Sequence, residues 1–129
     1  MQLDKARMIE GYDYYDYAEI AFGATETSYT VGTNANAALS GSWPSEGGYP
    51  VEAQSTLLYA TQDCYVRLLP RWIVVRQNLP TAAPFKMSSG LPLQMRVPAG
   101  VYFETKVKWI VLYVQRVDTD GTLYVWAEG

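Results

Sequence analysis

Histidine is absent from this chain, and cysteine occurs once, as Cys64. The first absence removes the usual general base near neutral pH, the commonest metal ligand and every Ser–His or Cys–His nucleophile pair. The second excludes an internal disulfide, and one thiol without histidine cannot assemble a metal site. Stability must then come from packing or from assembly, as suits a protein made in a reducing cytoplasm. Long apolar runs are also missing. The longest, residues 109–114, is far too short to cross a bilayer as a helix. Residues 1–10 carry Asp4, Lys5, Arg7 and Glu10 without an apolar stretch, which predicts no signal peptide. Neither Gly-x-Gly-x-x-Gly nor Gly-x-x-x-x-Gly-Lys occurs, so nothing points to a phosphate cradle.

Positive charge is missing from a whole stretch of the chain. Between Met8 and Tyr65 there is no Lys or Arg, but there are eight acids: Glu10, Asp13, Asp16, Glu19, Glu26, Glu46, Glu52 and Asp63. Over residues 66–117 the balance inverts, with Arg67, Arg71, Arg76, Lys86, Arg96, Lys106, Lys108 and Arg116 set against Glu104 alone. A net charge of -3 therefore hides an acidic first half and a basic second half. Opposite halves of this kind favour docking, of one half on the other or of one copy on the next.

What is present is apolar and aromatic. A chain of 129 residues is one domain, able to bury roughly 65–70% of its unfolded surface. Hydrophobic residues make up 49% and aromatics 14%, which excludes a disordered chain. The eleven tyrosines suit half-buried sheet faces and interfaces, because the ring packs while the hydroxyl stays wet.

Two regions follow from the patterning. Residues 1–50 are polar, acidic and rich in Gly, Ser, Thr, Asn and Tyr, and read as an N-terminal arm and long loop. Residues 3–10 fit one or two helical turns stopped by Gly11, too short to be stable alone. Residues 18–22 and 28–31 fit short strands, and residues 32–50 a long loop whose large side chains are Trp43 and Tyr49. Residues 51–129 read as successive strands: 52–60, 64–69, 72–76, 93–97, 101–104, 107–117 and 122–127. Cys64, Val66 and Leu68 face one way, as do Leu93, Met95 and Val97. Residues 118–121, Asp-Thr-Asp-Gly, supply a hairpin turn before the last strand. Strands spaced by turns, with no long helical period, predict an all-β antiparallel sandwich, jelly-roll-like, with an extended N-terminal arm. The proline-bounded segments 71–78 and 91–97 fit edge strands.

Candidate chemistry is sparse. Asp118 and Asp120 are a close carboxylate pair, but a tight turn accounts for both, and the residues after them lack the ligands of a calcium loop. Arg67, Arg71 and Arg76 interleave with Tyr65 and Trp72, as in single-strand nucleic-acid binders. In an acidic chain they fit better as charges that keep strand edges from mispairing. Cys64 reads as a small core residue. Trp43 and Trp72, with the 32–50 loop, are candidates for stacking on sugar rings, whereas Trp109 and Trp126 fall in core strands. The segment Tyr12, Asp13, Tyr14, Tyr15, Asp16, Tyr17 reads either as an interaction arm or as an ordinary first strand, and both hold if the arm adds a strand to a neighbour.

A resemblance enters in the C-terminal half. The order Cys64-Tyr65-Val66-Arg67-Leu68, then 91–103 (Leu-Pro-Leu-Gln-Met-Arg-Val-Pro-Ala-Gly-Val-Tyr-Phe), then Trp109-Ile110-Val111, then 120–125 (Asp-Gly-Thr-Leu-Tyr-Val) resembles small all-β virion proteins of tailed bacteriophages. It is a resemblance of pattern over residues 57–126. It implies a capsid cement or decoration subunit, or else a head–tail or tail accessory subunit. Such cement proteins are often trimeric and clasp neighbours with N-terminal arms. The expectation is thus a non-enzymatic homo-oligomer without cofactor or metal, made in the host cytoplasm and located on the virion. Its expected partners are further copies of itself and the major capsid protein or other virion subunits, not nucleic acid or membrane. The expected interface residues are Tyr12, Asp13, Tyr14, Tyr15, Asp16, Tyr17, Trp43, Arg67, Arg71 and Arg76. The competing reading is a glycan or host-surface binding module.

Overall fold

The computed structural model describes residues 14–33, 43–77 and 94–129. Among these, the strands are β1 (Tyr15–Phe22), β2 (Thr27–Thr30), β3 (Ser45–Glu46), β4 (Tyr49–Pro50), β5 (Ser55–Ala60), β6 (Cys64–Leu69), β7 (Gln94–Val97), β8 (Tyr102–Thr105), β9 (Val111–Arg116) and β10 (Gly121–Glu128). One short helix, α1 (Arg71–Gln77), follows β6. Two four-stranded sheets run β1-β10-β5-β8 and β2-β9-β6-β7, and β3 and β4 form a separate hairpin. Every ladder is antiparallel, so the fold is all-β.

The two larger sheets share one core because their strands alternate. In β1, Asp16, Ala18, Ile20 and Phe22 are buried while Tyr15 and Tyr17 are half-buried and Glu19 and Ala21 exposed. In β6, Cys64, Val66 and Leu68 point inward with the expected period of two. These meet Leu58, Ala60, Leu112, Val114, Leu123 and Val125 in a single apolar cluster. Burying each such aliphatic side chain stabilises the fold by about 1.5–3 kcal/mol. In β9 four successive residues, Val111 to Val114, are buried. It is an inner strand whose outer face is also covered: the Arg67 guanidinium lies 4.9 Å above the ring of Tyr113.

Three expectations need correction. Residues 15–22 are not part of an arm appended to a core but an ordinary first strand, because β1 pairs along its full length with β10, from Tyr15↔Glu128 to Phe22↔Gly121. Asp16, an acid at an inward position, is 1% exposed. Its carboxylate accepts hydrogen bonds from the Gly32 N–H at 2.8 Å and from the Tyr29 hydroxyl, which joins the first sheet to the second. Gly32 takes φ +82, and a Cβ there would lie 2.7 Å from Trp43 Cβ, so the turn that presents this N–H requires glycine. The arm's residues 1–13, including the expected helical turns, lie outside the described residues.

The second correction concerns residues 72–76, which are helical. Pro70 opens α1, its carbonyl accepting from the N–H groups of Ile73 and Val74. The Glu52 carboxylate caps the first turn by accepting from the Arg71 N–H at 2.9 Å. Ile73 and Val74 are both buried and Trp72 is exposed, a helical arrangement that overrides the β-branched composition. Third, the 32–50 loop ends in the β3–β4 hairpin, turned by Gly47 and Gly48 at φ 62 and 83. Its residues 34–42 lie outside the described set. The expected edge position of 91–97 holds for β7, which borders the second sheet.

The Asp16 junction makes a direct prediction. Asp16→Ala removes the acceptor shared by the Gly32 N–H and the Tyr29 hydroxyl and should cost about 2 kcal/mol. Thermal unfolding should show a Tm lower by on the order of 10 °C, while Asp16→Asn, which keeps an acceptor, should lose less.

Candidate functional site

The outward residues of the first sheet form its most distinctive surface. Register puts Tyr17, Trp126, Leu57 and Glu104 in one row across β1, β10, β5 and β8, and Glu19, Tyr124, Tyr59 and Tyr102 in the next. Tyr17, Leu57, Tyr59, Tyr102, Tyr124 and Trp126 line a shallow depression of about 270 Å³. Trp126 is its floor, only 7% exposed, with its indole N–H donating to Glu128 Oε1 at 3.1 Å. Tyr15 stacks on Trp126 with ring centroids 5.1 Å apart and planes 13° from parallel. Tyr59 touches Tyr102 at 4.8 Å and Tyr124 at 6.2 Å. Tyr102 stands 72% exposed on the edge strand β8.

The phenol of Tyr17 donates to Glu19 Oε1 at 3.0 Å. Burial, then this hydrogen bond and the negative charge of Glu19, push the Tyr17 phenol up to about 12 from its ordinary 10.0.

The outer face of the second sheet has a different character. Arg67 forks onto Glu26, with Nε donating to Oε2 at 2.9 Å and Nη2 to Oε1. Arg96 donates to Asp63 Oδ2 at 2.9 Å. The Asp63 carboxyl is held below its ordinary range, first by the Ala99 N–H at 2.8 Å and then by Arg96. This face is a charged lattice made within one chain.

The expected interface residues do not form one surface. Tyr15 and Tyr17 lie on the aromatic face, whereas Asp16 points into the core. Tyr14 meets the Trp43 ring edge-on at 4.7 Å. Trp43 is half-buried, its ring packed against the core and its indole N–H donating to the Val51 carbonyl at 2.8 Å. Arg67 sits on the opposite sheet, and Arg71 donates to the Glu46 carbonyl from the start of α1. Arg76 lies in α1, and Tyr12 and Asp13 fall outside the described residues. Trp72 is 62% exposed.

Sequence reading did not assemble Leu57, Tyr59, Tyr102, Tyr124 and Trp126 into a site. The signal was parity: each occupies the strand position alternating with a core residue, such as Leu58, Leu123 or Val125.

No family model, curated protein or solved structure matches this chain. Its chemistry is therefore read from its own side chains. Among the described residues, no group of three His, Cys, Asp or Glu stands close enough to hold a metal, and no helix is long and apolar enough to cross a membrane. Asp120 pairs with Arg116 Nη1 at 2.7 Å at the start of the last strand, as a turn residue would. Cys64 is buried, which pushes its thiol up to about 11 and keeps it un-ionised.

Tyr17 carries a pH prediction. An unfolded tyrosine loses its proton near pH 10, before the folded one does. The stability contributed by neutral Tyr17 is thus complete below pH 10 and is lost as pH rises towards 12. Ultraviolet titration of the wild type against Tyr17→Phe should isolate this late phenol, and Glu19→Gln should move it down towards 10.

Proposed function

We propose that this chain is a jelly-roll structural subunit of a bacteriophage particle, of the capsid cement or decoration type. The observation that carries the reading is the order of pairing. With the β3–β4 hairpin set aside, the eight longer strands pair first with last (β1 with β10), second with seventh (β2 with β9), third with sixth (β5 with β8) and fourth with fifth (β6 with β7). That nesting is what a long hairpin gives when it wraps into two sheets, and such double-sheet rolls recur in viral capsid and lectin domains. The phage assignment rests on the pattern resemblance over residues 57–126. A head–tail or tail accessory role draws on the same support.

The charge halves bear on how copies associate. Glu26 with Arg67, Asp63 with Arg96, and Glu52 with the Arg71 N–H are contacts within one chain. These contacts support use of part of the charge sorting in cis, which gives apolar anchors weight in association between copies. Trp72, projecting from α1 at 62% exposure, is such an anchor.

Light scattering on the full chain should give a defined oligomer that persists from about 0.1 to about 1 M salt, where screening removes surface charge pairs. The protein should co-sediment with phage shells, and Trp72→Ser should weaken association while leaving Tm unchanged. A monomer that also fails to co-sediment with shells overturns the reading.

A further inference from the structure

We infer that the outer face of the first sheet is a binding site for a neutral oligosaccharide. The first reason is the make-up of the face. A sugar ring offers an apolar C–H face and a rim of hydroxyls, and needs a flat aromatic partner beside hydrogen-bonding groups. Tyr17, Tyr59, Tyr102 and Tyr124 supply rings that end in hydroxyls, around the Trp126 floor.

The second reason is charge. The acids of the two rows are Glu19 at the β1 end and Glu104 at the β8 end. Carboxylates accept strongly from sugar hydroxyls and repel phosphate, sulfate and sialic acid. Lys106, a cation at this face, is held by Glu104 at 3.3 Å and donates to Ser55 Oγ at 3.1 Å. A nucleic-acid strand or an anionic glycan would meet the wrong sign of charge here.

The third reason is shape. From β1 to β8 the face spans three inter-strand steps, or about 14 Å, long enough for more than one sugar ring. A depression of about 270 Å³ is shallower than enclosed small-molecule pockets. Single-site affinity is accordingly modest, and binding gains strength when several copies present the face together. This inference does not rest on the phage reading.

The test is titration of the full chain with neutral oligosaccharides built from glucose, galactose, mannose and N-acetylglucosamine, followed by tryptophan fluorescence and calorimetry. At least one should bind saturably and perturb Trp126 emission. Tyr102→Ala and Tyr59→Ala should each weaken it about tenfold, the loss of one ring contact, while Tyr102→Phe retains most binding and Trp72→Ser all of it. Sulfated or sialylated versions of the same sugar should bind more weakly. Three results overturn the inference: no neutral sugar of the panel binds, anionic versions bind better, or Tyr102→Ala leaves sugar binding intact. Self-association is measured on the same variants. Its survival in Tyr102→Ala separates failure of the sugar site from failure of the assembly reading.

Discussion

The ladder between β1 and β10 is the constraint on which the rest of this structure depends. Its eight paired positions bring the start of the described chain against its end. The inward side of that ladder sets Ala18, Ile20 and Phe22 into the core, and its outward side lays Tyr15 and Tyr17 against Trp126. Asp16 fixes the ladder relative to the second sheet through Tyr29 and the Gly32 N–H. One buried acid therefore couples the register of the first sheet to the position of the second. A buried carboxylate is costly unless several donors meet it, and here the donors come from β2, itself held by its ladder with β9, and from the turn that follows it.

The two outer faces divide the surface chemistry. The second sheet carries ion pairs made within the chain, where Arg67 covers Tyr113 and bonds to Glu26, and Arg96 meets Asp63. Pairs such as Arg96–Asp63 are largely exposed and add little stability. Their effect is to leave the arginines engaged within the chain. The outer face of the first sheet carries mainly tyrosines and the carboxylates Glu19, Glu104 and Glu128. A wet aromatic face and a self-neutralised charged face suit recognition on one side and solubility on the other.

Much of the fold was legible in the sequence. Cys64 to Leu69 forms β6 as read, the Asp-Thr-Asp-Gly turn leads into β10, and the apolar stretch at 109–114 contributes the inner strand β9. Period-two alternation carries that information locally. What stayed hidden was set by contacts distant in sequence. Residues 72–76 have strand-forming side chains, yet the Glu52 carboxylate and Pro70 start a helix there. The Tyr/Asp segment looked unable to enter a core because its aliphatic partners, Ala18, Ile20 and Phe22, lie just beyond it on the same parity as Asp16. The aromatic face escaped for a similar reason. Tyr17, Tyr59, Tyr102 and Trp126 come from four strands, and only the pairing order makes them neighbours.

Amide hydrogen exchange across β1 is the most direct measure of whether the N-terminal tyrosines belong to the sheet. If the ladder with β10 organises the molecule, the alternate amides of edge strand β1 that bond to β10 exchange slowly and open together with β10 in one cooperative unit. Fast exchange over Tyr15–Phe22 beside a protected β10 would contradict the account, because the segment would then be an appended arm and the aromatic face would not exist as a fixed surface.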